Sequence, residues 1–414
     1  MTRTRFPTTL VVLIGTLVAM AGGVPPAAAT SPPIPTLTLP APSGPHPIGT
    51  VTLHMVDHAR PDPWVPTAAN RELMISLWYP TIKADRHPRA PWLPATAAKR
   101  YLRDNGASPR RVSLGRTHGR EGAPVDRGSG GPLPVVLYSP GANASRAFGT
   151  GTAEDLASHG YLVVTIDHTY DAAVVEFPGK RLAVGPPAGV TDFAKAVRVR
   201  AADTTFVLDR LAAIAAGDNP DAERRPLPGG LAGAVDMTRI GMFGHSLGGA
   251  ATSSAMLADA RIKAGAGLDG AALGPVVTAG LDRPYLVVDT PSKGGMASNP
   301  ALRAFWSNLR GWRLELTVAG AAHHSFGDDA QLLPLLAPIL GTPPGDLIDM
   351  VGTIPTARAL AFQRAFPRAF FDLHLRGDPG ELLNGPSPRF PEVTYNRTDS
   401  PPPPTTNTCP TACH

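Results

Sequence analysis

The 414-residue chain predicts an α/β class domain, with a mainly parallel central sheet, an antiparallel N-terminal start and helices on both faces. Short, nearly continuous apolar runs recur between helix-length segments, which is how strands covered on both faces read. The first two strand-like runs instead follow one another with no helix between them, so the sheet starts antiparallel. Pro and Gly are spread through loops and no internal repeat occurs, so residues 50–398 count as one domain.

The chain opens with Arg3 and Arg5, then an apolar stretch near residues 10–20, then Ala27-Ala28-Ala29. That order predicts a signal peptide over 1–29, cleaved near Ala29 for export, because the run falls short of the ~20 residues that span a bilayer. Cleavage takes the formal charge from +5 to +3. Basic residues are scattered among Asp and Glu, which excludes a nucleic-acid footprint. Residues 30–49, rich in Pro, Thr and Ser, read as a flexible lead-in. Residues 51–56 and 73–78 alternate as strands, and Pro80 stops the second.

The polar, Arg- and Gly-rich stretch 104–131 reads as an exposed loop. Buried strands follow at 134–139 and 161–166, joined by a helix over 149–159, then at 240–243, 262–268, 285–288 and 314–318. Phe193, Ala196, Val197 and Ala201 recur near the helical period within 192–216. Residues 399–414 read as a Pro-rich flexible tail holding both cysteines, Cys409 and Cys413. A bridge there closes a tiny loop and stabilises little else, and with His414 the pair makes a weak metal site. Hydrophobic residues at 43% suffice for a core held by burial alone.

Gly244-His245-Ser246-Leu247-Gly248 matches the Gly-x-Ser-x-Gly nucleophile elbow of the α/β-hydrolase fold. The pentapeptide alone is weak; a strand before it and a helical run over 250–258 supply the setting it requires. The serine sits in a strained turn, and Gly244 and Gly248 leave room where side chains would collide. A serine hydroxyl needs a base, and the base needs an orienting acid. The fold's order is Ser, then acid, then His. His323 and His324 follow the last core strand, and His323 is the favoured base. Asp269 and Asp289 both sit at C-terminal strand ends, and pattern alone does not separate them. The oxyanion needs two backbone N–H donors, assigned to Leu247 and, in the loop after the early buried strand, Ala142.

Seven strings together resemble the platelet-activating factor acetylhydrolase family, and its secreted bacterial relatives in particular. They are Leu77-Trp78-Tyr79-Pro80, Tyr138-Ser139-Pro140-Gly141, Leu156-Ala157-Ser158-His159-Gly160-Tyr161, Ile166-Asp167-His168, Gly244-His245-Ser246-Leu247-Gly248-Gly249, Leu268-Asp269-Gly270 and His323-His324-Ser325-Phe326. The resemblance implies Asp269 over Asp289 from the Leu-Asp-Gly setting, and His323 over His324 from the His-x-x-Phe pattern. It also implies Ala142 as second donor, no metal and no cofactor. Pro140 departs from the family, where some members carry His. The implied activity is serine carboxylesterase chemistry on short-chain or acetyl esters, small-molecule or lipid, with transient contact with a lipid surface and no obligate protein partner.

Competing readings are a lipase or polyester hydrolase working on insoluble substrate, a peptidase on the same triad, and a non-catalytic secreted binding protein. The complete Ser, Asp, His order argues against the last. For Trp306, Trp312 and Phe177, core packing is favoured over a place in the acyl wall.

Overall fold

The computed structural model describes residues 34–68, 70–128, 131–186, 188–291 and 294–397. Residues 1–29, expected to be a leader cleaved near Ala29, and residues 399–414 with Cys409, Cys413 and His414 lie outside the described residues. Strands β1 (Ile48–Asp57) and β2 (Arg71–Pro80) pair antiparallel, Leu53 opposite Ile75. Next come β3 (Arg89–Pro91), α1 (Ala95–Asp104) and β4 (Arg116–Glu121). The parallel portion starts with β5 (Leu133–Ser139), α2 (Thr150–Ser158) and β6 (Leu162–Asp167). A small hairpin, β7 (Val174–Phe177) and β8 (Arg181–Val184), then leads to α3 (Phe193–Ala215), which Asp192 caps by accepting from the Lys195 N–H at 2.9 Å.

The chain continues through β9 (Val235–His245), α4 (Leu247–Ala258), β10 (Ile262–Leu268), α5 (Val276–Ala279) and β11 (Tyr285–Asp289). After α6 (Gly295–Ser298), α7 (Pro300–Asn308) and β12 (Arg313–Val318) come three helices and an edge strand. These are α8 (Asp329–Leu340), α9 (Pro344–Val351), α10 (Thr356–Phe371) and β13 (Val393–Arg397).

Among the described residues eleven strands form one sheet, ordered β13-β12-β11-β10-β9-β5-β6-β2-β1-β4-β3. The run from β6 through β12 is parallel, while β2 meets β6 and β13 meets β12 antiparallel. This is the α/β-hydrolase fold. Its two faces follow from the period-2 pleat. Leu133, Val135 and Leu137 of β5 pack with Val207 and Leu211 of α3 and Met256 of α4, whereas Val136 and Tyr138 pack with Leu156 of α2 and Phe366 of α10.

Two expectations need correction. Residues 34–49 are not a flexible lead-in where described. Leu37 and Leu39 are buried, and the Leu37 N–H donates to the Ser113 carbonyl at 2.9 Å while Ser113 N–H donates to that of Pro35 at 2.9 Å. Two leucine anchors among prolines are too few to produce a periodic signal. The stretch 104–131 is not an exposed loop either: β4 runs through it beside β1, and Val112, Thr117, Ala123 and Val125 are buried. The inward positions of β4 are Thr117 and Gly119, which carry no apolar signal. Glycine is needed there because a Cβ at 119 would stand 2.7 Å from the Trp78 ring.

Candidate active site

β9 ends at His245 and α4 begins at Leu247, so the backbone reverses within one residue. That residue is Ser246, held at φ 55° and ψ −120°. Such a conformation costs a non-glycine residue about 1–3 kcal/mol, so its surroundings must enforce it. A Cβ on Gly244 would sit 2.2 Å from the Gly248 backbone, and one on Gly248 would sit 1.9 Å from the Ser139 carbonyl oxygen. The Ser246 N–H donates to the Leu268 carbonyl at 2.9 Å, which ties the turn to the end of β10.

Asp269 follows that strand end. Its N–H donates to the Val288 carbonyl at 2.7 Å, and Thr290 Oγ1–H donates to its Oδ1 at 3.0 Å. His323 lies in a short turn after β12 and faces both partners. Its Nδ1 is hydrogen-bonded to Asp269 Oδ2, and its Nε2 lies 2.9 Å from Ser246 Oγ. A carboxylate accepts only, so Nδ1 carries the ring proton and Nε2 is left to accept from the serine hydroxyl. Asp269 is the acid on the His323 ring, and Asp289 stands buried at the neighbouring end of β11. His324 turns to Asp329 Oδ2, 2.9 Å from its Nδ1.

The buried His245 imidazole is a partner that sequence reasoning missed, although it stands inside the elbow motif. Its Nε2–H donates to the His323 carbonyl at 2.7 Å and so tethers the turn that carries His323. Burial, helped by repulsion from His323 and His324, pushes its pKa down to about 3, so it stays neutral. Phe326 is buried against Phe362 of α10, which anchors the same turn from below.

Leu247 is the first residue of α4, where a helical N–H has no intrahelical acceptor. Ala142 stands across from it in the loop after β5. Both border a cavity of about 190 Å³ that opens on Ser246, with Phe193, Ala250, Ala271 and Leu273 as its apolar walls. Trp306 lies in the core with Leu302 and Phe305, and Trp312 packs on Phe370, so neither borders this cavity. Phe177 packs with Met74 and Val175 beside a separate cavity of about 240 Å³ near α1.

The family described as platelet-activating factor acetylhydrolase, isoform II, matches residues 34–182 and 193–344. A probable 1-alkyl-2-acetylglycerophosphocholine esterase of Arthroderma benhamiae is 30% identical over 86% of this chain and 93% of its own. A platelet-activating factor acetylhydrolase of Cavia porcellus is 23% identical over 70% of this chain and 69% of its own. Among solved structures, a ferulic acid esterase from Streptomyces cinnamoneus superposes with a TM-score of 0.73 at 38% identity, over 88% of this chain and 99% of its own.

Proposed function

The chain belongs to the platelet-activating factor acetylhydrolase, isoform II, family of esterases, and from that premise we propose that it hydrolyses short-chain carboxylic esters through a Ser246 acyl-enzyme. The observation that carries the reading is the hydrogen-bonded file from Asp269 through His323 to Ser246 Oγ. As Oγ attacks the ester carbonyl carbon, His323 Nε2 takes its proton, and the carbonyl π electrons move to oxygen. The Leu247 and Ala142 N–H groups face that oxyanion. Collapse breaks the bond to the alkoxy group, which leaves with the proton from His323. Water, deprotonated by the same nitrogen, then frees the acid. Asp269 orients the ring and stabilises its cation throughout.

The small apolar cavity supports an acetyl or other short acyl group. A second reading is an aromatic acyl group, favoured by the solved relative named a ferulic acid esterase and by the half-exposed Phe193 ring on the rim. The order of Arg3, Arg5, the apolar run and Ala27-Ala28-Ala29 supports export, which N-terminal sequencing of protein from the medium tests. For the reaction, a fluorophosphonate is expected to label Ser246, and turnover of p-nitrophenyl esters is expected to fall as the acyl chain lengthens. An unlabelled serine in folded, inert protein refutes the scheme. Methyl ferulate turned over faster than the acetyl ester selects the second reading, and activation only at an insoluble surface points to a lipase or polyester hydrolase.

A further inference from the structure

Behind the loop that carries Ala142 lies a guanidinium with no part in the scheme above. Arg200 projects from α3 and is fully buried. Its five N–H donors all find acceptors. Nη2–H donates to the Gly141 carbonyl at 3.0 Å and to Asp171 Oδ1 at 2.6 Å. Nη1–H donates to the Pro140 carbonyl and, at 3.3 Å, to Ser139 Oγ. Nε–H donates to Asp171 Oδ2 at 2.8 Å. On the far side of Ala142, the Asn143 carbonyl accepts the Ala173 N–H at 3.1 Å, which ties the loop to the segment that follows Asp171. The loop is therefore held on both sides of Ala142, by Arg200 at the carbonyl before it and by the Asn143–Ala173 bond after it.

This grip has a direction. In a planar trans peptide the C=O and N–H point opposite ways, and among the described residues no peptide bond is cis. The Gly141 carbonyl and the Ala142 N–H belong to one such unit. Drawing that carbonyl to Arg200 turns the N–H to the other side of the loop. The elbow packs against this loop: a Cβ on Gly141 would lie 3.5 Å from Ser246 Cβ and 3.3 Å from His245 Nδ1, and Ala142 lines the cavity that opens on Ser246. The guanidinium also polarises the peptide it binds and strengthens its N–H as a donor.

We propose that Arg200, held by Asp171, is a positioning residue that aims the Ala142 N–H at the oxyanion formed over Ser246. The proposal rests on the reading of Ser246 as nucleophile and Ala142 as second donor. Its rival is a buried ion pair that only holds the fold, which predicts damage to the amount of folded protein and none to the chemistry of each folded molecule.

Trifluoroacetophenone separates the two. Ser246 Oγ adds to its ketone carbon, the proton passes to His323, and the carbonyl oxygen becomes an oxyanion in the same place as in hydrolysis. Its Ki does not depend on how much of a sample is folded. In Arg200→Lys the cation stays beside Asp171, but a single ammonium cannot span both carbonyls and the carboxylate in one plane. The expected result is a kcat about 30-fold to 100-fold lower, with KM within about twofold and Ki raised by the same factor as kcat falls, approaching the loss of one oxyanion donor. Asp171→Leu/Arg200→Met, which replaces the pair with packed apolar groups, is expected to behave alike and serves if the lysine variant does not fold. An unchanged Ki in either folded variant overturns the proposal. Ser246→Ala is run beside them: if it still hydrolyses ester, the nucleophile assignment fails, which is distinct from failure of the Arg200 role alone.

Discussion

Around Ser246 the end of the sheet is built from glycine, alanine and one strained serine bordering an open cavity, whereas between β2 and α3 the chain packs charge on charge. There Arg71, wholly buried, donates to Asp203 at 3.1 and 2.7 Å, to Asp62 at 2.9 Å and to the Thr169 carbonyl at 2.7 Å. Asp203 also bonds His168 Nδ1 at 3.0 Å, and His168 Nε2 reaches Ser139 Oγ at 3.0 Å, next to the loop that carries Ala142. Burial holds His168 below its ordinary pKa. For Asp203 burial acts upward, yet Arg71 and His168 together hold the carboxyl below the usual range. In the first region the hydrogen-bonded file at Ser246 borders a cavity, which the proposed proton transfer to and from a substrate requires. The second gives up solvation to become a shape that does not change, and each of its charges depends on the next.

Breaking the open region is expected to remove chemistry and leave the fold. Ser246→Ala should lower kcat on p-nitrophenyl acetate by a factor on the order of a million, with the melting temperature little changed. Asp269→Asn should cost on the order of ten-thousand-fold in kcat by favouring the wrong His323 tautomer, read in the same assay. Retained activity in either would mean that the hydrogen-bonded file is not the reacting one.

Breaking the closed region should do the reverse. Arg71→Met leaves Asp62 buried without its cation and Asp203 with only the part-exposed Arg60, 3.0 Å away, and is expected to cost about 3–5 kcal/mol of stability, measured by urea unfolding, while kcat per folded molecule stays within a few-fold. A collapse of kcat at unchanged stability would erase the contrast.

The finest test is Asp328, buried like the second region but without a cation. Its carboxyl accepts from Trp92 Nε1–H at 2.7 Å and from the Gly151 N–H at 3.0 Å. Burial outweighs both bonds and pushes its pKa up to about 8. The folded protein therefore keeps a proton that the unfolded chain releases near pH ~4. The stability this contributes is full below that value and is lost as the pH rises through about 8. Relative to Asp328→Asn, the native protein should lose about 2–4 °C of melting temperature between pH ~5 and ~8.5 by scanning fluorimetry. A difference that does not vary with pH would show the carboxyl ionised throughout.

Some of this was legible beforehand and some was not. Apolar runs at β5, β6, β10 and β11 announce themselves because strands covered on both faces need apolar residues at every position. The elbow is legible as a short motif set between a strand and a helix, although only Gly244 is demanded by a close neighbour, Gly248, while Gly248 is demanded by the distant Ser139 carbonyl. The acid is different: Asp269 and Asp289 look equal along the chain, since each follows a buried strand, and resemblance separated them where pattern did not. In the fold, Asp269 stands on the His323 ring.

By itself, then, the sequence determined the parallel half of the sheet and the serine turn, the first through periodicity and the second through a short motif between a strand and a helix. Tertiary structure alone decided that 34–49 and the described part of 104–131 would be packed, because their anchors are single residues such as Leu37 and Gly119 whose partners lie far off in sequence. It also decided the environment of Arg200, whose spacing within α3 resembles that of any helical arginine. Its carbonyl partners lie about sixty residues earlier. Burial and hydrogen-bond satisfaction are properties of such distant pairs, and no local pattern encodes them.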